Sequence, residues 1–148
     1  IGFKNYGDEY KLMGLSAYGN KKYENILSEL VSYKNCKYEL NLKYFQHHKI
    51  EIQEINEDGE INYKDLFSNE LEDLIEIKAQ NKFVFSQTAA DIAKSIQVIY
   101  ENIFFSYFGD LQQKYDQTNL CLSGGCALNS LANKKIKNNT NFKKIFIQ

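Results

Sequence analysis

Residues 119–147 contain the pattern that most limits how this chain can fold. A short apolar strand, Asn119 to Leu122, runs into Ser123-Gly124-Gly125. A small-residue helix follows, predicted from Ala127 to about Lys137, and a second strand, Lys144 to Ile147, closes the segment. The order helix–strand–helix–strand implies a parallel strand pair crossed by a helix, with any ligand at the carboxyl end of the strand. The glycines sit at that end. Without Cβ atoms they let the backbone approach a phosphate, and unpaired amides at a helix start supply donors and partial positive charge. A tight βα turn also needs glycine for positive φ when it binds nothing. Ser123, Gly124 and Gly125 are therefore candidates that need support from a second segment.

The longest predicted element lies just before this pattern. Ser86 is a plausible N-cap, and Ala90, Ala93, Ile96, Ile99, Ile103, Phe104, Phe108 and Leu111 continue a wide apolar face to about Asp116. Earlier, Tyr10, Met13, Gly14 and Ala17 recur at helical steps behind the acidic start Asp8-Glu9. Periodicity predicts helices over 21–33 and 64–80 as well. Between them, Tyr38, Leu40 and Leu42 alternate with polar residues, and Asp58-Gly59 between Ile55 and Ile61 signals a hairpin.

Composition excludes several partners. The 148 residues carry a formal net charge of −1, so no overall basic field points to nucleic acid or an anionic membrane. The lysine- and asparagine-rich run from Lys134 to Lys144 has no aromatic platform and reads as a solvated face. No apolar stretch approaches membrane-spanning length, and no signal peptide is visible, so a cytoplasmic chain is expected. Arginine is absent, so an anion site must use lysine, hydroxyls or backbone amides. Cys36, Cys121 and Cys126 lack metal-ligand spacing; Cys121 and Cys126 are expected to be buried thiols. Adjacent His47 and His48 point to different sides of an extended chain and make a poor metal pair. The length suits one domain. The first residue is not methionine and the last lie within a strand-like run, so a fragment of a longer protein is expected.

Three ordered segments resemble a known family. Gly7-Asp8-Glu9-Tyr10-Lys11-Leu12-Met13-Gly14-Leu15-Ser16-Ala17-Tyr18-Gly19 resembles the "DEYK-x-MGLA-x-YG" signature of O-carbamoyltransferases of the nodulation and antibiotic-tailoring type. The stretch from Leu120 to Asn133 resembles their "LCL-[AS]-GG-x-ALN-x-x-AN" nucleotide loop. Between them, Asp91-Ile92-Ala93-Lys94-Ser95-Ile96-Gln97 with Tyr100-Glu101 resembles the "DIA-x-S-x-Q…E" helix. Several relatives carry valine where this chain has Cys126, a departure that concerns packing.

That resemblance implies an α/β fold: an incomplete actin-like, ribonuclease H-like domain of the ATPase superfamily, with a β-hairpin-containing insertion and a long amphipathic helix. Residues 1–148 would then form part of one nucleotide-binding domain. In such enzymes a companion domain makes carbamoyl-adenylate from ATP and carbamoyl phosphate. This domain holds the adenylate and passes the carbamoyl group to an acceptor hydroxyl, beside a divalent metal, typically iron. Gly124 and Gly125 would line the phosphate, Asn129 would hold the nucleotide through its amide, and Gly14 would allow close backbone approach. Asp8 or Glu9 would hold the ribose or act as general base, and Lys11 would neutralise developing charge or pair with either. Ser123 and Asn133 are weaker candidates. The family's metal-binding histidines and aspartate fall outside this sequence, so no metal ligand is expected within it. Expected partners are carbamoyl phosphate, the acceptor and the adenylate-forming domain; a homodimer is compatible with the resemblance, and nucleic acid and membrane are not expected. Alternative readings are a sugar-kinase-like or tRNA threonylcarbamoyl-transferring relative, or a non-catalytic binding module of the same fold.

Overall fold

One helix organises the whole molecule. The computed structural model describes residues 1–3, 5, 7–55, 57–59 and 61–148. In chain order the regular elements are α1 (Glu9–Leu15), α2 (Glu24–Leu27), β1 (Val31–Lys34), β2 (Lys37–Leu40), β3 (Gln53–Ile55), β4 (Ile61–Tyr63), α3 (Asn69–Ile75), α4 (Gln87–Tyr115), β5 (Asn119–Leu122), α5 (Ser130–Asn139) and β6 (Lys144–Ile147). Short 3-10 turns at Ser16–Tyr18, Ser28–Leu30, Leu42–Tyr44 and Gly125–Leu128 join them. The result is a mixed α/β structure with small two-stranded sheets.

Helix α4 has 29 residues and so runs about 43 Å at 1.5 Å per residue. Ser86 caps it as predicted, its Oγ accepting from the Ala89 amide at 3.1 Å. Asp116, left-handed at φ 50, ends it. Its apolar face serves three clusters in succession. Near the N-terminus Ala89, Ala90 and Ala93 pack against Leu15 of α1, because only small side chains admit so close a neighbour. The middle places Ile92 and Ile99 against Leu27, Leu30 and Tyr44. The last turns set Phe104 and Phe108 against Ala132, Ile136 and Phe142. Ile136 is fully buried there. Ile136→Ala is expected to lower unfolding free energy by about 2–5 kcal/mol, measured by urea denaturation; an unchanged midpoint would mean that the cluster holds little of the fold together.

The βαβ unit forms as the sequence pattern requires. Strands β5 and β6 are parallel, in register from Asn119 opposite Lys144 to Leu122 opposite Ile147, with α5 as the crossover. Leu120 and Leu122 turn toward the Phe104 cluster. Period-two alternation then turns Cys121 outward, and Cys126 is exposed on the turn that follows, so the expected burial of these two thiols is corrected.

Two predicted helices differ from expectation. The predicted helix over 21–33 stops at Leu27, passes through a 3-10 turn, and becomes β1. Val31 and Tyr33 pair across to Leu40 and Tyr38, a fit that β-branched and aromatic side chains favour over helix. The hairpin turn places Asn35 and Cys36 at φ 53 and 60, and Asp110 of α4 accepts from Tyr33 Oη at 2.6 Å. The helix over 64–80 shrinks to α3, since Phe67 bridges to Phe45 and Ser68 is tied to the Lys43 carbonyl at 2.8 Å. The Asp58-Gly59 hairpin is present as β3 and β4, with Ile55 opposite Ile61 and Gly59 at φ 81. Both strands are exposed throughout, so their alternation buries neither face. Among the described residues no helix is long and apolar enough to cross a membrane.

Candidate functional site

The carboxyl end of β5 opens into the glycine turn. Gly124 adopts φ 92 and ψ −180, a conformation that is essentially restricted to glycine. Gly125 has no such constraint, and a Cβ on either glycine would meet no atom within 4 Å. Space above the turn is open. Among the described residues the amides of Gly124 and Gly125 have no acceptor, whereas the Ala127 amide closes the turn on the Gly124 carbonyl at 2.9 Å. Ser123 is exposed beside them.

The helix after the turn does not start where the pattern predicted. Gly125–Leu128 form a 3-10 turn, and α5 starts at Ser130 with Asn129 as its N-cap. Asn129 Oδ1 accepts from the Ala132 amide at 3.0 Å and from Gln97 Nε2 at 3.0 Å, and its Nδ2 donates to Gln97 Oε1 at 3.0 Å. The amide donors nearest the glycines therefore belong to a tight turn, not to the α-helix end. Asn133 secures the same loop, its Nδ2 donating to the Ala127 carbonyl at 2.6 Å. Tyr100 Oη donates to the Cys126 carbonyl at 3.2 Å, and burial pushes this phenol's pKa well up.

Behind the loop lies a buried polar chain. Gln97 is 4% exposed and Glu101 7%. Gln97 Nε2 also donates to Glu101 Oε1 at 3.0 Å, and Lys135 Nζ donates to Glu101 Oε2 at 2.5 Å. Polar groups so placed are costly unless bonded, and here each one has a partner. Sequence reasoning assigned these residues no role. The available signal was Gln97 and Glu101 one helical turn apart on a helix otherwise apolar on that side.

The acidic candidates of α1 face another surface. Asp8 pairs with Lys11 at 2.6 Å and accepts from the Asn5 amide at 3.3 Å. That hydrogen bond from Lys11 to Asp8 holds the lysine pKa above its usual range. The pair lines an open cleft of about 810 Å³ whose walls include Phe3, Tyr18, Phe83 and Phe85. Phe3 and Phe83 stack with centroids 4.3 Å apart. Glu9 and Gly14 are exposed on the same helix. The described hydrogen bond joining α1 to the glycine segment is a weak one, Ser130 Oγ to Met13 Sδ at 3.7 Å. Asp8 and Lys11 thus come together with each other, while Ser123, Gly124, Gly125 and Asn129 form a separate group.

A second polar clamp holds the segment between α1 and α2 on α4. Asp91, on the buried face, accepts through Oδ1 from the Asn20 amide and from Gln87 Nε2, each at 2.8 Å. Ser95 Oγ accepts from the Tyr23 amide at 3.0 Å. The Asn20 amide above all, then Gln87, lowers the Asp91 pKa below its ordinary 3.8. A depressed carboxyl contributes stability above that value and loses it as pH falls through the folded pKa. Asp91→Asn is expected to lower the Tm at neutral pH, with the gap to wild type closing below about pH 3.8. A gap constant with pH would mean that the charge is not what matters.

Among the described residues no three His, Cys, Asp or Glu side chains converge. His47 and His48 are exposed with ring centroids 5.7 Å apart, edge to face.

Comparison with known proteins adds two findings. A family model described as "Carbamoyltransferase N-terminus" matches residues 1–148. An uncharacterized protein of Synechocystis sp. is 34% identical over 149 residues, covering 99% of this chain and 22% of that protein. The chain thus spans about a fifth of that relative's length.

Proposed function

This chain belongs to the carbamoyltransferase N-terminus family, and from that premise we propose that it supplies the nucleotide-holding loop of a carbamoyl-transferring enzyme. The observation that carries this reading is the turn itself. Gly124 and Gly125 leave open space at the carboxyl end of β5, and among the described residues their two amides have no acceptor. That is the chemistry a phosphate needs where arginine is absent.

The ligand in this reading is carbamoyl-adenylate, formed from ATP and carbamoyl phosphate by a companion domain. The two amides hold its phosphate, Ser123 adds a hydroxyl, and Asn129 adds an amide donor. An acceptor hydroxyl attacks the carbamoyl carbon, a new C–O bond forms, and the bond from that carbon to the adenylate oxygen breaks, releasing AMP. Asp8 or Glu9 takes the hydroxyl proton. Asp8 is engaged by Lys11, which leaves it the better ribose or charge-pairing group, and exposed Glu9 the freer base. Residues around the Asp8–Lys11 cleft bind part of the substrate in the same scheme. The fold assigned to this reading is the actin-like ATPase-superfamily domain.

The deciding experiment uses the full-length protein with carbamoyl phosphate, ATP and hydroxyl acceptors, read by carbamoylated product and AMP. Transfer is expected in the wild type and its loss in Gly125→Val. Absence of transfer to any acceptor, or transfer intact with the turn blocked, would overturn the assignment.

A further inference from the structure

A side-chain amide can present either its oxygen or its nitrogen, and its partners decide which. The carboxylate of Glu101 can only accept, so it draws Gln97 Nε2 and leaves Gln97 Oε1 facing Asn129. At the other end the Ala132 amide can only donate, so it draws Asn129 Oδ1. Both constraints agree on one orientation. Asn129 Oδ1 then has two donors, the Ala132 amide and Gln97 Nε2, which fill its two lone pairs. Its Nδ2 spends one N–H on Gln97 Oε1. The second N–H has no partner among the described residues, and it is the hydrogen-bonding capacity that Asn129 has left.

We propose that Gln97 is a positioning residue, backed by Glu101 and Lys135, that makes Asn129 a donor-only group beside the Gly124–Gly125 turn. The loop thereby selects a nucleotide atom that accepts, a ring nitrogen or an oxygen, over one that donates. This rests on the reading of the turn as a nucleotide site. A neutral Gln97–Asn129 pair alone could flip as a unit, exchanging donor for acceptor. The Ala132 amide at one end and Glu101, held by Lys135 of α5, at the other remove that freedom together.

The test is ATP binding to the full-length protein by calorimetry. Gln97→Leu and Asn129→Ala are each expected to weaken binding about tenfold, and the double variant no more than either alone. Glu101→Gln keeps an oxygen for Gln97 and should bind ATP about threefold more tightly than Glu101→Leu. Where Glu101→Leu does not fold, Gln97→Glu, which sets a carboxylate against Glu101, serves instead and should lose affinity as Gln97→Leu does. Additive losses in the double variant, no recovery in Glu101→Gln, or full affinity in Gln97→Glu would each overturn the relay. The nucleotide reading is tested apart from it: ATP affinity unchanged in Gly125→Val removes that reading alone. The relay is then read from hydrogen exchange of the Ala132 amide, which Gln97→Leu must accelerate; unchanged exchange overturns it.

Discussion

Gly19→Val is expected to cost this protein roughly 3 kcal/mol or more of unfolding free energy, a large share of the total a domain of this size holds. A Cβ at Gly19 would lie 1.9 Å from the Ala90 carbonyl oxygen and 2.3 Å from its carbon. Both are backbone atoms of α4, so no side chain can swing aside to make room. Gly19 itself has φ −106, open to any residue, which makes the penalty one of space and not of backbone strain. The crossing also sets the next residue, since Asn20 reaches Asp91 only because Gly19 lies flat on the helix. Gly19→Ala carries the offending Cβ and should do nearly as much harm. Gly14→Ala, whose Cβ meets open space, is the control, expected within about 0.5 kcal/mol of wild type. Urea denaturation with Gly19→Ala indistinguishable from the control would show that the contact relaxes at no cost.

Gly125→Val should separate folding from function. Its Cβ would project into the open space above the turn, and Gly125 lies outside the positive-φ region. Stability should therefore change by no more than about 0.5 kcal/mol. A ligand phosphate in that space would meet the added methyls, and carbamoyl transfer by the full-length protein should fall about a hundredfold or more. Gly124→Val behaves differently, because at φ 92 any side chain is strained. It should lose roughly 1–3 kcal/mol of stability as well as activity. Comparable activity in Gly125→Val and wild type, with both folded, would place the ligand elsewhere.

Much of the local fold around the glycine turn was legible in the sequence. Strands β5 and β6 occupy the predicted residues, and Ser86 caps α4, because alternating apolar runs and caps are local signals. The start of α5 was misplaced by about three residues, since Ala127 and Leu128 look helical until Asn129 takes the cap. The segment from Lys21 to Tyr33 looked like one helix because Ile26, Leu27, Leu30 and Val31 suit a helical stripe. Its end became a strand through pairing with residues 37–40, which local periodicity does not register. Cys121 shows the same limit, with strand alternation deciding its exposure and not its apolar neighbours.

By itself the sequence determined what short-range chemistry can determine: a parallel βαβ unit, a glycine turn at the carboxyl end of its first strand, a long capped amphipathic helix, and a resemblance in three ordered motifs. The tertiary structure decided what those motifs do to one another. It laid Gly19 on Ala90 and Asn20 on Asp91, so that two of the motifs are partners in packing. It joined Gln97 to Asn129 across 32 residues and placed the Asp8–Lys11 pair in a separate aromatic cleft. Pattern in a chain reports which residues share a face. Which faces meet depends on long-range packing, and close contact, hydrogen-bond direction and the grouping of a site exist only after it.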